Sequence, residues 1–182
     1  MDEVTNKTPV SYIRRQEFFV EVSFEENRTN YPKLKKLNAN SYYLGLIQNL
    51  YSASEGELPS FLQTFFQATI TQSTPKLHSL LKKISEQDKK HMEILADAII
   101  KLGGTPKFFN AQSKWFTTRE IDYVQGIKQI ISYDIEMKEK MVLDYKSTIQ
   151  KVSSPELKAF LQRILDDEIN HLEQLKNIYA GL

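Results

Sequence analysis

The sequence of 182 residues contains no cysteine. Disulfide staples, thiolate zinc sites, thiol nucleophiles and cysteine-ligated iron–sulfur or rubredoxin-type centres are therefore excluded, and any metal must be held by O and N ligands. Glycine and proline are sparse, six of each, which excludes a collagen-like or low-complexity chain. Charge of one sign is also lacking. The 24 basic and 23 acidic side chains leave a formal charge of +1, so there is no broad electrostatic footprint for nucleic acid or an anionic membrane, and neither is an expected partner. No run approaches the roughly 18 uninterrupted apolar residues of a membrane span. Residues 1–25 carry Arg14 and Arg15 without a continuous apolar stretch and do not read as a signal peptide, so a cytoplasmic address is expected.

What remains is the make-up of one soluble globular domain, 41% hydrophobic and 26% charged, long enough to bury a core without staples. Residues 1–37 read as an appendage. They show strand-like alternation from Glu17 to Phe24, turn signals from Asn27 to Pro32 and a small basic cluster at Lys33, Lys35 and Lys36. Residues 38–182 read as an all-α domain. Their apolar positions recur with helical spacing in four blocks, roughly 40–72, 75–102, 118–152 and 155–180.

Thr74-Pro75 and Ser154-Pro155 place a capping residue before a first-turn proline, Gly103-Gly104 closes the second block, and Thr117 with Glu120 forms a possible capping box for the third. Pro59 inside the first block predicts a kink. Short links make blocks one and two, and three and four, antiparallel hairpins. A helix the length of the second block is about 40 Å long, and a link of about 15 residues can stretch about 50 Å, enough to return along the bundle. Two hairpins joined by one long crossover is the ferritin-like connectivity.

The second and fourth blocks are an internal repeat. One stripe reads Leu77, Leu81, Ile84, Asp88, His91, Leu95, Ala98, Leu102; the other reads Leu157, Leu161, Ile164, Glu168, His171, Leu175, Ile178, Leu182. Both advance by alternating steps of four and three. Both replace two aliphatic residues by a carboxylate and, three positions on, a histidine. Such a pair lies on one helix face and points at a common depth, and imidazole with carboxylate oxygens suits iron, manganese or zinc. The third histidine, His78, falls one position off the stripe and reads as a surface residue.

In the first block the inward series Ile47, Leu50, Ser54, Glu57, Phe61, Phe65 offers Glu57 as a further ligand, with Glu55 as competitor. The third block breaks the pattern. Its stripe, Val124, Ile131, Ile135, Lys138, Val142, Tyr145, Ile149, puts Lys138 at the central depth; Glu136 points away, and Glu139 and Asp134 lie on the two edges. Two readings follow. Either Glu139 or Asp134 supplies the fourth carboxylate, or Lys138 fills the hole and leaves one ion or none.

These motifs resemble the rubrerythrin-like branch of the ferritin-like superfamily. Gln87-Asp-Lys-Lys-His-Met-Glu-Ile-Leu95 running on to Ile99-Ile-Lys-Leu-Gly-Gly-Thr-Pro106 is similar to that family's second-helix signature. Leu165-Asp-Asp-Glu-Ile-Asn-His171 is similar to its fourth and Glu57-Leu-Pro-Ser-Phe-Leu-Gln63 to its first. The resemblance implies a non-haem iron or manganese centre and an oxidoreductase of peroxidase, catalase or ferroxidase type. It also implies peroxide or dioxygen as substrate, an external reductant, and a homodimer or larger assembly. The expected metal ligands are Glu57, Asp88, His91, Glu168, His171 and Glu139; Tyr145 and Lys138 are the expected catalytic side chains. The departures are Asp88 where the family has Glu, Lys138 where a Glu is expected, and Thr64 where a Tyr is common. The alternative is a bundle that has lost its centre and serves a structural or interaction role, its contacts drawn from Phe18, Phe19, Phe108, Phe109, Trp115 and Phe116.

Overall fold

The structure is a computed structural model; it describes residues 31–182, Lys36 excepted, so the calls made on residues 1–30 lie outside the described residues. Among the described residues five α-helices follow one another: α1 (Ser41–Ser52), α2 (Glu57–Ile70), α3 (Pro75–Lys101), α4 (Ile127–Lys151) and α5 (Pro155–Ala180). Among the described residues the only β pairing is one antiparallel bridge between Phe109 and Trp115.

The first predicted helix is in two pieces, and the break is not at Pro59. The chain leaves helical geometry after Ser52 and resumes at Glu57, which puts Pro59 in the first turn of α2, where a missing N–H costs nothing. Gly56 makes the break possible. A Cβ there would lie 2.9 Å from the carbonyl oxygens of both Asn49 and Leu50, the last turn of α1. The interruption also rotates the inward face. Beyond it Glu57, Ser60, Thr64 and Gln67 are buried, whereas Phe65, expected inside, is 60% exposed.

The third block starts later than expected. Residues 118–126 are a short 3-10 turn (Thr118–Glu120) and an extended link, and Thr117 makes no side-chain capping bond. Two features hold the link out of helix. The Gln63 amide clamps the Asp122 backbone, donating to its carbonyl at 2.6 Å and accepting from its N–H at 2.8 Å. Gly126, at φ 97°, supplies the left-handed turn from which α4 departs. Elsewhere Pro75 and Pro155 open α3 and α5 as expected, and Ser154 accepts from Leu157 N–H, whereas Thr74 stands at the cap position of α3 without a side-chain capping bond.

Two apolar clusters fill the interior. One holds Ile47, Leu50, Leu95, Ile99, Tyr145, Leu157, Leu161 and Ile164; the other holds Ala68, Leu77, Leu81, Ile84, Ile130, Ile131 and Leu175. Each helix path therefore runs from one cluster to the other, α3 and α4 in one sense, α1–α2 and α5 in the opposite sense. Two antiparallel hairpins with α3 parallel to α4 is the ferritin-like arrangement, and α2 packs along α3 as α4 does along α5. Tyr31 and Leu34 are buried in the first cluster. Between the clusters, at mid-depth, lie the polar side chains of the repeat.

Candidate metal centre

Four helices deliver charged side chains to this layer. Glu57 opens α2, Asp88 and His91 come from α3, Lys138 from α4 and Glu168 from α5, and all five are fully buried; His171, also from α5, is 6% exposed. Glu57, Asp88, His91 and Glu168 each offer one ligand atom within 4.8 Å of the other three. A metal with bonds of about 2.0–2.2 Å needs donors no more than about 4.4 Å apart, so the set matches after a contraction of a few tenths of an ångström.

Lys138 reaches into the same layer. Its Nζ donates to both oxygens of Asp88 at 2.9 Å and to Glu168 Oε2 at 2.6 Å. Ser60 Oγ donates to Asp88 Oδ2 at 2.5 Å and Tyr145 OH to Glu57 Oε1 at 2.6 Å. Asp88 and Glu168 are thus tied to the ammonium, and Glu57 is tied to a phenol. Glu139 is not brought to the centre: its side chain is 49% exposed and pairs with Lys176 at 2.6 Å, because it sits on the outer edge of α4. Of the two edge candidates Asp134 is the buried one. It lies outside the four-residue ligand set, one turn before Lys138, and neither carboxylate oxygen has a hydrogen-bond partner. Glu55 hydrogen-bonds Ser54 in the break between α1 and α2. His78 is off the stripe, as expected, but half-buried, its Nδ1 2.8 Å from the Ala68 carbonyl oxygen near the end of α2.

The chain resembles the rubrerythrin pattern closely enough to test by comparison. A family model described as Rubrerythrin matches residues 48–179, well over half of the chain. The chain belongs to the rubrerythrin family. No curated protein matches it. Among solved structures this family member resembles KatB, a manganese catalase from Anabaena, at 16% identity and a TM-score of 0.78, over 86% of this chain and 78% of that one. It also resembles the bacterioferritin of Desulfovibrio desulfuricans, described with a diiron site, at 18% identity and a TM-score of 0.65, over 77% of this chain and 79% of that one. At such identities the likeness is one of fold.

Whether a metal suits this member of the family is answered by its buried polar atoms. Glu57 Oε2, His91 Nδ1, Glu168 Oε1 and His171 Nδ1 are enclosed and lack hydrogen-bond partners. His91 Nδ1 lies 3.3 Å from Glu57 Oε1 and 3.0 Å from Glu168 Oε1. Its other nitrogen fixes the tautomer. Nε2 is 3.1 Å from Tyr31 OH and 3.3 Å from Asp167 Oδ2, while Tyr31 OH itself donates to Asp167 at 2.7 Å and accepts from Gln87 Nε2 at 2.8 Å. The phenol proton is committed to Asp167, and a carboxylate only accepts, so Nε2 carries the imidazole proton. Nδ1 then faces two carboxylates, an arrangement that either a proton or a metal ion on this nitrogen satisfies.

Without a metal, the electrostatics of the layer draw a proton to the same nitrogen. Burial, and then the Glu168 charge, push the Glu57 carboxyl up to about 7. Burial alone would lower the His91 pKa, but the Glu57 carboxylate and its hydrogen-bond partners hold it well above the ordinary value. Burial would likewise raise Glu168 and lower Lys138; the Lys138 charge nevertheless holds Glu168 well below its usual range, and the Asp88 and then the Glu168 charge hold Lys138 above its own. Outside the layer Asp167 is held low against its burial by His91, Arg163 and Tyr31, and burial raises Tyr31 to about 12. Tyr31, Gln87 and Asp167 were not singled out from sequence. Asp167 falls one position before Glu168, off the stripe, and Tyr31 lies in a segment read as turn.

Proposed function

We propose that this protein is a non-haem iron or manganese protein acting in peroxide or dioxygen reduction or iron oxidation. The observation that carries this reading is the buried gathering of Glu57, Asp88, His91 and Glu168, with His91 Nδ1 directed at two carboxylates. These residues would hold the ion, and His171 stands next to them, its Nδ1 3.4 Å from Glu168 Oε1. A bound ion of this kind would supply redox chemistry and a Lewis-acidic position for an oxygen substrate.

The chain's own side chains orient the ligands and hold protons. Tyr31 and Asp167 keep the His91 proton on Nε2, and Tyr145 OH donates to Glu57 Oε1 and fixes that carboxylate's rotation. Burial, followed by the Glu57 charge, raises Tyr145 well above its ordinary pKa, so the phenol keeps its proton and remains a donor. With no cysteine in the sequence, reducing equivalents would come from a separate reductant, and membership of a homo-oligomer fits the family.

The test is reconstitution of the purified chain with Mn(II) or Fe(II) under argon. Removal of free metal, elemental analysis, and assays of peroxide consumption and ferrous oxidation follow. Retained metal with either activity is expected; absence of retained metal with both ions overturns the reading. Lys138 favours a second reading, a closed ion network without metal in a protein that works through its surface. The aromatic residues Phe108, 48% exposed, and Trp115, 61% exposed, are on hand for contacts. The same measurement separates the two.

A further inference from the structure

The three central carboxylates define two neighbouring places for a cation, and the chain treats them differently. On one side Glu57, Asp88, His91 and Glu168 converge, and three of the unpartnered buried atoms, Glu57 Oε2, His91 Nδ1 and Glu168 Oε1, belong to that set. On the other side the Lys138 ammonium occupies the space, donating to Asp88 Oδ1, Asp88 Oδ2 and Glu168 Oε2. His171 Nδ1 is left without a partner there, 3.6 Å from Asp88 Oδ1, as are both oxygens of Asp134 one turn before the lysine.

We infer that the centre takes a single divalent transition-metal ion, in the seat of Glu57, Asp88, His91 and Glu168, and that Lys138 permanently stands in for a second. The inference rests on the metal-binding reading above and sharpens it. Charge decides the number. Three carboxylates and one ammonium sum to −2, which one divalent ion neutralises, whereas two would leave +2 buried among apolar clusters. A second ion would also sit within a few ångström of Nζ, where two like charges enclosed away from water repel strongly.

Geometry points the same way. Asp88 and Glu168 are the carboxylates a second ion would have to share, and their oxygens already accept from Lys138, with Ser60 adding a further bond to Asp88. On α4 Glu139 is engaged outside with Lys176, and the buried Asp134 lies outside the group of converging ligand atoms. Glu168 spans both places, one oxygen toward each, so the lysine both fills its own place and orients a ligand of the other.

The experiment is metal stoichiometry on the full chain. The protein is loaded with Mn(II) under argon, freed of unbound ion by gel filtration, then examined by elemental analysis and low-temperature electron paramagnetic resonance. About one manganese per chain with the six-line spectrum of an isolated ion is expected. About two per chain, or an exchange-coupled multiline spectrum, overturns this inference and leaves metal binding intact; no retained metal overturns both. Lys138→Glu is expected to raise the content from about one to about two. A folded variant that stays at one removes the lysine as the cause, and where the variant does not fold, the spectrum of the unaltered protein decides.

Discussion

His91 and His171 occupy equivalent positions of a sequence repeat, yet their surroundings have little in common. His91 is tethered on its outer nitrogen by Tyr31 and Asp167, with Arg163 pairing Asp167 and Gln87 donating to Tyr31, and its inner nitrogen faces Glu57 and Glu168. His171 has no such tether among the described residues, and its inner nitrogen looks at carboxylates held by Lys138. Backbone symmetry therefore does not make a symmetric centre. The two halves diverge through a residue of α4, Lys138, and a residue outside the repeat, Tyr31. One half presents an imidazole nitrogen to two carboxylates with nothing but a proton or an ion to join them, the other is neutralised from within.

The strongest way to break this contrast is to remove the internal cation. Lys138→Met leaves Asp88 and Glu168 buried without their ammonium, and breaking a buried pair in this way costs about 3–5 kcal/mol. Urea unfolding in the presence of a chelator is expected to show that loss, and saturating Mn(II) to recover part of it, because an ion that binds only the folded state shifts the equilibrium by mass action. A loss no larger than that of an ordinary surface substitution would mean that the two halves do not differ in the way described.

Asp134 belongs to the lysine half and tests its charge balance. Burial raises its carboxyl from 3.8 to about 7, against the lowering effects of Gln67 and Lys138. A folded pKa above the unfolded one means the folded state holds an extra proton between those values, so this residue's contribution to stability falls as pH rises from about 4 to 7 and is flat beyond. Asp134→Asn is expected to remove that slope. The variant should be more stable than the parent by roughly 1–4 kcal/mol at pH 8 and nearly equal to it below pH 4, as read from denaturant midpoints across pH. Equal profiles would show that Asp134 is not ionising in a dry site.

The His91 half is sharpened by Tyr31→Phe. Loss of the hydroxyl removes the acceptor for Nε2–H and the donor to Asp167 and leaves the ring's packing in place. Second-layer partners of this type alter metal affinity by roughly 10–100-fold, and Asp167 remains as a partial tether, so a loss near 10-fold is expected in Mn(II) titration. An unchanged affinity would break the assignment of the ion to the His91 side.

How much of this asymmetry was legible beforehand follows from which contacts are local. The four-and-three stripe places Asp88, His91, Glu168 and His171 at one depth because helix geometry alone fixes that, and Lys138 and Tyr145 follow from the same periodicity on α4. The stripe failed in α2. A four-residue interruption ending at Gly56 resets the phase, so Ser60 and Thr64 take the inner face in place of Phe61 and Phe65, and instead of a kink at Pro59 there is a break before α2, where Gly56 lets two backbone turns approach closely. The late start of α4 is likewise tertiary, since the Gln63 clamp on Asp122 has no sequence signature. Tyr31 and Asp167 were missed for a related reason: they meet His91 across long sequence separations, and no periodicity encodes such a meeting.

The smallest effect belongs to the residue that the sequence offered as a replacement ligand. Glu139 and Lys176 are each about half exposed, at 49% and 50%, and their 2.6 Å contact bridges the outer faces of α4 and α5. Exposed pairs of this kind gain little, because water screens the attraction and two long side chains lose freedom to hold it. Glu139→Gln is therefore expected to change stability by about 0.5 kcal/mol or less and to leave the manganese content at its original value. Should metal content fall with Glu139→Gln, the side chain would have to swing through the helix interface to reach the centre, and the division between a metal-ready half and a lysine-filled half would have to be redrawn around a carboxylate that moves.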